Sequence, residues 1–329
     1  MRRPLSRRAS LVGVAWLPLL LAPSVAGAQA WLPTKGEGAI GITFGDYSFD
    51  GHFDGAGNRI PFGGTKALSA AGDVIYGITD RFAVAGSLPF ITSKFTGTFP
   101  KGVLLGPLDF DRRYHGDFQD FRFEARFMAL TGELAFTPLV GVNLPSHNYE
   151  VVGEAVPGKR TKEAYLGFAA GRSLDPLLPR GYLHVRYTYT FVEKVVPNVR
   201  KLDRSNIDGE FGYAAADRLS LRAFGAWQIT HGGLDLEDMF STPDLFRTHD
   251  RATRTDYFNL GVGATFQASP GVEVYTAFVK TISGENAHQA RSFYLGAAFW
   301  FGGGFGGGRS APLRSVRQSL PRPKACPLC

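Results

Sequence analysis

The feature that most constrains this chain is a two-residue hydrophobic period that begins near Gly36 and recurs, segment after segment, as far as Phe301. A period of two is that of a β-strand, whose side chains point alternately to opposite faces. Twelve segments carry it, at 36–47, 67–78, 82–91, 116–129, 133–144, 163–172, 181–193, 206–215, 218–229, 255–267, 272–282 and 292–301. Gly, Asp, Asn or Pro bound them. No segment has helical spacing of comparable strength. A mean hydropathy of -0.07 leaves no sustained apolar run for a helical membrane bundle.

The connections carry as much information as the strands. Thr79-Asp80-Arg81, Leu130-Thr131-Gly132, Ala216-Asp217 and Ser269-Pro270-Gly271 read as tight turns, with a modest one at 173–180. Between them fall long connections at 48–66, 92–115, 145–162, 194–205, 230–254 and 283–291, so long and short alternate throughout. This pattern predicts an all-β fold, a transmembrane antiparallel up-and-down β-barrel of about 12 strands with short periplasmic turns and long extracellular loops.

Alternation alone does not say which face meets lipid; the polar face does. In 116–129 the residues Asp120, Arg122, Glu124 and Arg126 oppose Phe121, Phe123, Ala125 and Phe127. In 181–193, His184 and Arg186 oppose Leu183, Val185 and Tyr187. Asp208 and Glu210 oppose Ile207 and Phe211, and Arg222 opposes Leu221 and Trp227. Twelve strands close around a lumen too wide for wall side chains alone to fill, so the lumen is wet or plugged and can hold charge. Asp120, Arg122, Glu124, Arg126, His184, Arg186, Asp208, Glu210 and Arg222 are therefore expected to line it. A soluble barrel would put the same charges in water, but leaves the loop alternation and the leader described next without a cause.

The net charge of +7 belongs to the ends. Residues 1–30 carry Arg2, Arg3, Arg7 and Arg8, an apolar stretch from Leu11 to Ala22, and small residues at Ala26, Ala28 and Ala30, the pattern of a secretory signal peptide cleaved after Ala28 or Ala30. Residues 302–329 carry five more cations, Arg309, Arg314, Arg317, Arg322 and Lys324, and no acid, among Gly, Ser and Pro, as a disordered tail does. Of the 36 basic residues, 27 remain in the body against all 29 acidic ones, and no basic patch for nucleic acid survives. The barrel is thus expected over 31–301. Its last strand alternates Phe293, Leu295, Ala297, Phe299 and Phe301 and ends on an aromatic, like the C-terminal signal read by the barrel assembly machinery, with Phe301 as its key residue.

Three stretches carry a family likeness: Tyr76-Gly77-Ile78-Thr79-Asp80-Arg81-Phe82-Ala83-Val84 with Ser87-Leu88-Pro89-Phe90, then Gly141-Val142-Asn143-Leu144-Pro145-Ser146, then Ser283-Gly284-Glu285-Asn286-Ala287-His288. They resemble the bacterial outer-membrane β-barrel family of meta-pathway phenol-degradation proteins and transporters, over most of 36–301. The resemblance implies an outer-membrane channel admitting small hydrophobic or aromatic molecules, and brings no catalytic residues with it.

The connection 92–115 combines Phe95, Phe99, Leu104, Leu105 and Phe110 with Lys94, Lys101, Arg112 and Arg113, more apolar surface than a solvated loop carries without covering something. Phe95, Phe99 and Phe110 are candidates to contact solute at the barrel mouth; contact with lipopolysaccharide is the other reading. His52, His115, His147, His231, His249 and His288 fall in or beside long connections without metal-ligand spacing, so neither a metal nor a cofactor is expected. Cys326 and Cys329 have the spacing of a redox pair but no second pair to complete a zinc site. His249-Asp250 with Asp244 faintly resembles an outer-membrane protease pair, but no supporting residues align with it.

The reading is a passive channel for small hydrophobic or aromatic solutes, not an enzyme, in contact with outer-membrane lipid and lipopolysaccharide. The alternatives are a lipid hydrolase or protease, and a plugged structural or adhesive barrel. The protein is expected to fractionate with the bacterial outer membrane and to shift its gel mobility on boiling; recovery in the soluble periplasm after gentle lysis would overturn this reading.

Overall fold

The computed structural model describes residues 30–61, 64–97, 106–241, 245 and 248–302. The leader, apart from Ala30, and the tail beyond Gly302 lie outside them, as do Phe99 and the cysteines. Strand β1 (Gly38–Phe53) is followed by the two-residue β2 (Arg59–Ile60), β3 (Thr65–Thr79), β4 (Phe82–Phe95), β5 (His115–Phe118) and β6 (Asp120–Phe127). Then come β7 (Leu134–Pro145), β8 (Glu163–Ser173), β9 (Gly181–Val192), β10 (Arg204–Ala216), β11 (Leu219–Thr230), β12 (Asp256–Ser269), β13 (Val272–Glu285) and β14 (Ala287–Phe301). Strands β5 and β6 are one stave interrupted at Gln119, whose N–H still bonds Pro89 O at 2.8 Å, and β2 is a small hairpin arm on β1. Twelve staves remain. All neighbours are antiparallel, and β14 pairs with β1 from Gly38↔Phe301 to Phe49↔Ala290, closing the sheet into a barrel.

The pleat sorts the side chains cleanly. Outward-facing Ile40, Phe44, Phe123, Val140, Val262 and Phe299 are each 50 to 60% exposed, whereas inward Thr43, Ile75, Ala135 and Ala169 are 1% exposed or less. A sheet with Phe, Ile and Val on its exposed face all around is insoluble in water and suited to hydrocarbon. On β14 this belt runs from Phe293 to Phe301. At about 3.3 Å per residue and a tilt of about 40°, those eight steps span roughly 20 Å of membrane height.

The boundaries that differ from the sequence-based expectation by more than two residues all lie at the loop end. β1 continues six residues past Tyr47, with a bulge between Phe49 and His52, so the 48–66 connection is a strand extension plus a hairpin. β4 likewise runs to Phe95, which makes Phe95 a wall residue and not a loop residue. The expected long connection at 283–291 does not exist: β13 and β14 are joined by Asn286 alone, in the left-handed conformation at φ 49°. Above Lys280↔Arg291 the two arms separate and pair with their outer neighbours, Glu285 with Asp256 and Ala287 with Phe53. Ser283, Gly284 and Asn286 read as loop formers because local turn chemistry does not reveal that flanking strands supply the hydrogen bonds. His52, His115 and His288 thereby fall in strands.

Leu295 sits in the middle of the belt, between Thr276 and Phe44. Leu295→Arg is expected to lower stability in lipid by about 2–4 kcal/mol, and Leu295→Ala by clearly less, as measured by denaturant unfolding in vesicles.

Candidate functional site

The lumen is closed in layers, and the lowest is the segment that leads into β1. Residues 30–37 cross the short-turn end of the barrel. Ala30 is fully buried and accepts a hydrogen bond from Thr137 Oγ1 at 2.6 Å; the Trp31 ring meets Tyr182 edge-on at 6.2 Å; Leu32 packs with Ala39, Ile75 and Ala83. Gly36, at φ 80°, turns the strap into β1, and its N–H bonds Gly77 O at 2.9 Å.

The middle layer is ionic. Glu124 accepts from Arg126 Nε at 2.5 Å, Arg186 Nη2 at 2.5 Å, Arg122 Nη2 at 3.2 Å and Tyr165 Oη at 2.9 Å. The period-2 pattern of β6 puts Arg122, Glu124 and Arg126 on one face, and β9 delivers Arg186 from across the lumen. Nearer the loops, at the first residues of β8 and β10, Glu163 accepts from Arg204 Nη2 at 2.7 Å, Asn143 Nδ2 at 2.8 Å and Thr161 Oγ1 at 3.1 Å. Glu210 accepts from Tyr182 Oη at 2.5 Å and Arg222 Nη1 at 3.5 Å. Two of the tyrosines reach their carboxylates by lying across a glycine on the neighbouring strand. Gly141 stands opposite Tyr165, and Gly212 opposite Tyr182; a Cβ on either would overlap the ring.

Toward the loops the inner wall is apolar on the side of β1, β3, β4 and β14. Tyr47, Phe49, Ala67, Ile91 and Ala290 form one buried cluster and Phe53, Tyr257 and Ala287 another, with Phe95 2% exposed on the same inner face. His288 stacks on Phe49 at 3.7 Å between ring centroids, and its Nδ1 meets Tyr47 Oη at 2.7 Å. Loops roof this cluster. The β7–β8 loop tucks Tyr149, Val151, Ala155 and Val156 inside, with Ser93 Oγ donating to Ala155 O at 2.9 Å and Tyr149 Oη to Asp120 at 2.5 Å. Asp109 binds the same loop to the β4–β5 connection: its buried carboxylate accepts backbone N–H bonds from Gly106, Glu154 and Ala155 at 2.9 to 3.0 Å. The β11–β12 loop adds Met239, His249 and Ala252, all buried, over Val199. Lys159 lies between these loops, where burial and the Arg204 guanidinium push its ammonium down to about 8.

The structure places Asp120, Arg122, Glu124, Arg126, His184, Arg186, Asp208, Glu210 and Arg222 on the inner face, and draws Arg122, Glu124, Arg126 and Arg186 into one cluster. His184 stands apart, both ring nitrogens buried without a hydrogen-bond partner among the described residues. The phenylalanines do not meet as a group: Phe95 is buried within the barrel, Phe110 is 68% exposed on the loop surface, and Phe99 lies outside the described residues. The residues missed from sequence are Phe49, Tyr47, Phe53 and Ile91, which belong to the buried clusters at the loop end. Their signal was present, since 47, 49 and 53 extend the alternation of β1 past its expected end.

No protein-family model and no curated protein matches the chain. Among solved structures the barrel is similar to a COG4313 outer membrane channel from Pseudomonas putida F1, at 11% identity and a TM-score of 0.64, covering 84% of this chain and 100% of that one. It also aligns with the KdgM porin, at 7% identity and a TM-score of 0.42 over 79% of this chain and 99% of the other. A Pseudomonas aeruginosa FadL homologue aligns at 12% identity and a TM-score of 0.38 over 80% and 90%. The first of these likenesses supports the fold, a transmembrane antiparallel barrel, and does not reach the phenol-pathway family.

Removing Glu124 leaves three enclosed guanidinium groups without their shared carboxylate. Glu124→Ala is expected to cost about 3–5 kcal/mol, read from the urea midpoint of the folded barrel in detergent. Asp217→Ala, which breaks the exposed pair with Arg180, should change it little.

Proposed function

We propose that the protein is a channel of the bacterial outer membrane through which small hydrophobic or aromatic solutes diffuse passively. The observation that carries this reading is the buried aromatic cluster at the loop end, formed by Tyr47, Phe49, Phe53, Ile91 and Phe95. A sealed structural barrel has no need to gather buried aromatic side chains on one inner wall at the loop end, apart from the ionic hub around Glu124. A solute capture site does: burying about 100 Å² of a phenol ring gains about 2.5 kcal/mol, whereas the ionic layer offers it nothing comparable. The closures suit gating, because strap and roof are short segments and not a folded plug domain.

An enzyme reading draws less support. His249 and Asp250 contact one another at 3.2 Å but are 1% and 4% exposed beneath the roof, where a protein or lipid substrate does not reach. The sealed barrel is the more serious rival, since the inner wall is buried throughout.

Conductance and uptake separate the two. The purified protein in planar bilayers should show small, intermittent openings, and Trp31→Ser with Leu32→Ser should raise conductance by freeing the strap. In proteoliposomes, Phe49→Ser with Phe95→Ser should slow phenol entry severalfold and leave ion conductance nearly unchanged. No openings from the wild type or the strap variant, together with no phenol entry, would mean that the barrel is sealed.

A further inference from the structure

Cross-strand register sets four cations side by side on the outer face, at the loop end of the barrel. Lys280 of β13 stands opposite Arg291 of β14, Arg291 opposite Ser48 of β1, Ser48 opposite Lys66 of β3, and Lys66 opposite Lys94 of β4. Directly opposed residues share a face, and Arg291 is on the face of exposed Phe293, Leu295 and Phe299, so the row points outward. Lys66, Lys280 and Arg291 are exposed, and Lys94 is half-buried with its ammonium 4.5 Å from the centre of the Tyr114 ring. Arg291 Nε donates to Ser48 Oγ at 3.1 Å.

Two of these contacts, Lys280 with Arg291 and Lys66 with Lys94, are like charges directly opposed across a strand pair, which destabilises a sheet unless an anion lies between them. The outward carboxylates of β1 lie one step to either side, Asp46 toward the belt and Asp50 toward the loops, and none lies in the row. Immediately below it, Phe278, Phe293 and Leu68 begin the apolar belt. Elsewhere Leu144, Phe191 and Trp227 are outward and apolar near the loop ends, and exposed Lys162 and Lys194 at the loop ends of β8 and β9 have Glu193 beside them, so the run of cations with no acid in it lies on the β13–β4 wall.

We propose that this row binds the phosphorylated disaccharide head of lipopolysaccharide in the outer leaflet. This rests on the outer-membrane placement of the barrel. With strands about 4.8 Å apart, the centres of the two like-charge pairs are about 14 Å from one another along the row. A disaccharide bearing a phosphate at each end spans a comparable length and neutralises both pairs at once, while its acyl chains descend over Phe278, Phe293 and Leu68. A glycerophospholipid brings one phosphate and meets only one pair. Phosphate held between paired cations makes charge-assisted hydrogen bonds at the edge of hydrocarbon, where water screens them less than in bulk.

The test uses the full-length protein folded in detergent and titrated with bisphosphorylated lipid A, monophosphoryl lipid A and phosphatidylglycerol, with binding read by native mass spectrometry. The wild type should bind them in that order of affinity. Lys66→Gln with Arg291→Gln should weaken bisphosphorylated lipid A at least about tenfold. Lys201→Gln, an exposed loop change, should leave binding unaltered. Should the double variant fail to show the heat-modifiable folded band, Lys280→Gln alone carries the comparison. Equal binding of the three lipids, or an unchanged affinity in the folded variants, overturns the site. If the protein still fractionates with the outer membrane in that case, its placement stands and only the site falls; recovery in a soluble fraction instead overturns the placement.

Discussion

Everything in this molecule depends on the pairing of β14 with β1. In hydrocarbon no water is available to an unpaired N–H or C=O, so a sheet spans a membrane only when its two edges satisfy one another. Twelve residues of β1, from Gly38 to Phe49, are aligned with β14, and the register brings Gly38 to Phe301 at the short-turn end. A slip of one residue would turn Ile40, Ile42 and Phe44 into the lumen and Thr43 and Tyr47 into lipid. The seam therefore fixes which face of all twelve staves is apolar.

Closure at twelve staves creates the second problem, a lumen wider than its wall side chains. The chain answers it differently at each height. Near the short turns it runs the segment before β1 across the inside, with Trp31 and Leu32 reaching opposite walls. In the middle it uses long polar side chains that meet across the gap, and Tyr165 and Tyr182 gain their reach because Gly141 and Gly212 let the rings lie flat against the wall. Buried charge is tolerable at the hub because its carboxylate is multiply satisfied: Glu124 has three guanidinium donors and a phenol hydroxyl. Near the loops it turns to aromatic and aliphatic packing under inserted segments.

The alternating pattern made the staves and their inward and outward faces legible, because face assignment is local: it follows from a period of two and from where charge can survive. What escaped was non-local. The end of β1 at Phe53 and the one-residue turn at Asn286 depend on hydrogen bonds from strands hundreds of residues away in sequence, as in His52↔His288. The union of Arg186 with Glu124 depends on the span of the lumen, which no single strand encodes. The grouping of Phe95 with Phe110 failed for the same reason, since an aromatic-rich stretch does not state where a strand ends. Phe95 continues the inward alternation of β4 through Ile91 and Ser93, a cue overridden by reading Thr92 and Ser93 as loop formers.

The three layers also differ in how readily they can part, and this bears on how a filled lumen can serve a flux. The ionic layer is tied to the wall on both sides through charge-assisted bonds, and separating Glu124 from its partners exposes several charges at once. The strap is held at Ala30 by one hydrogen bond to Thr137 and by the packing of Ala30, Trp31 and Leu32, and at its β1 end by the N–H groups of Lys35 and Gly36, which bond Asp80 Oδ1 and Gly77 O at 2.9 Å each. Local opening follows the weakest contacts. The strap is thus the part that can leave while the barrel stays intact, and the ionic hub is the part that keeps the wall in shape when it does.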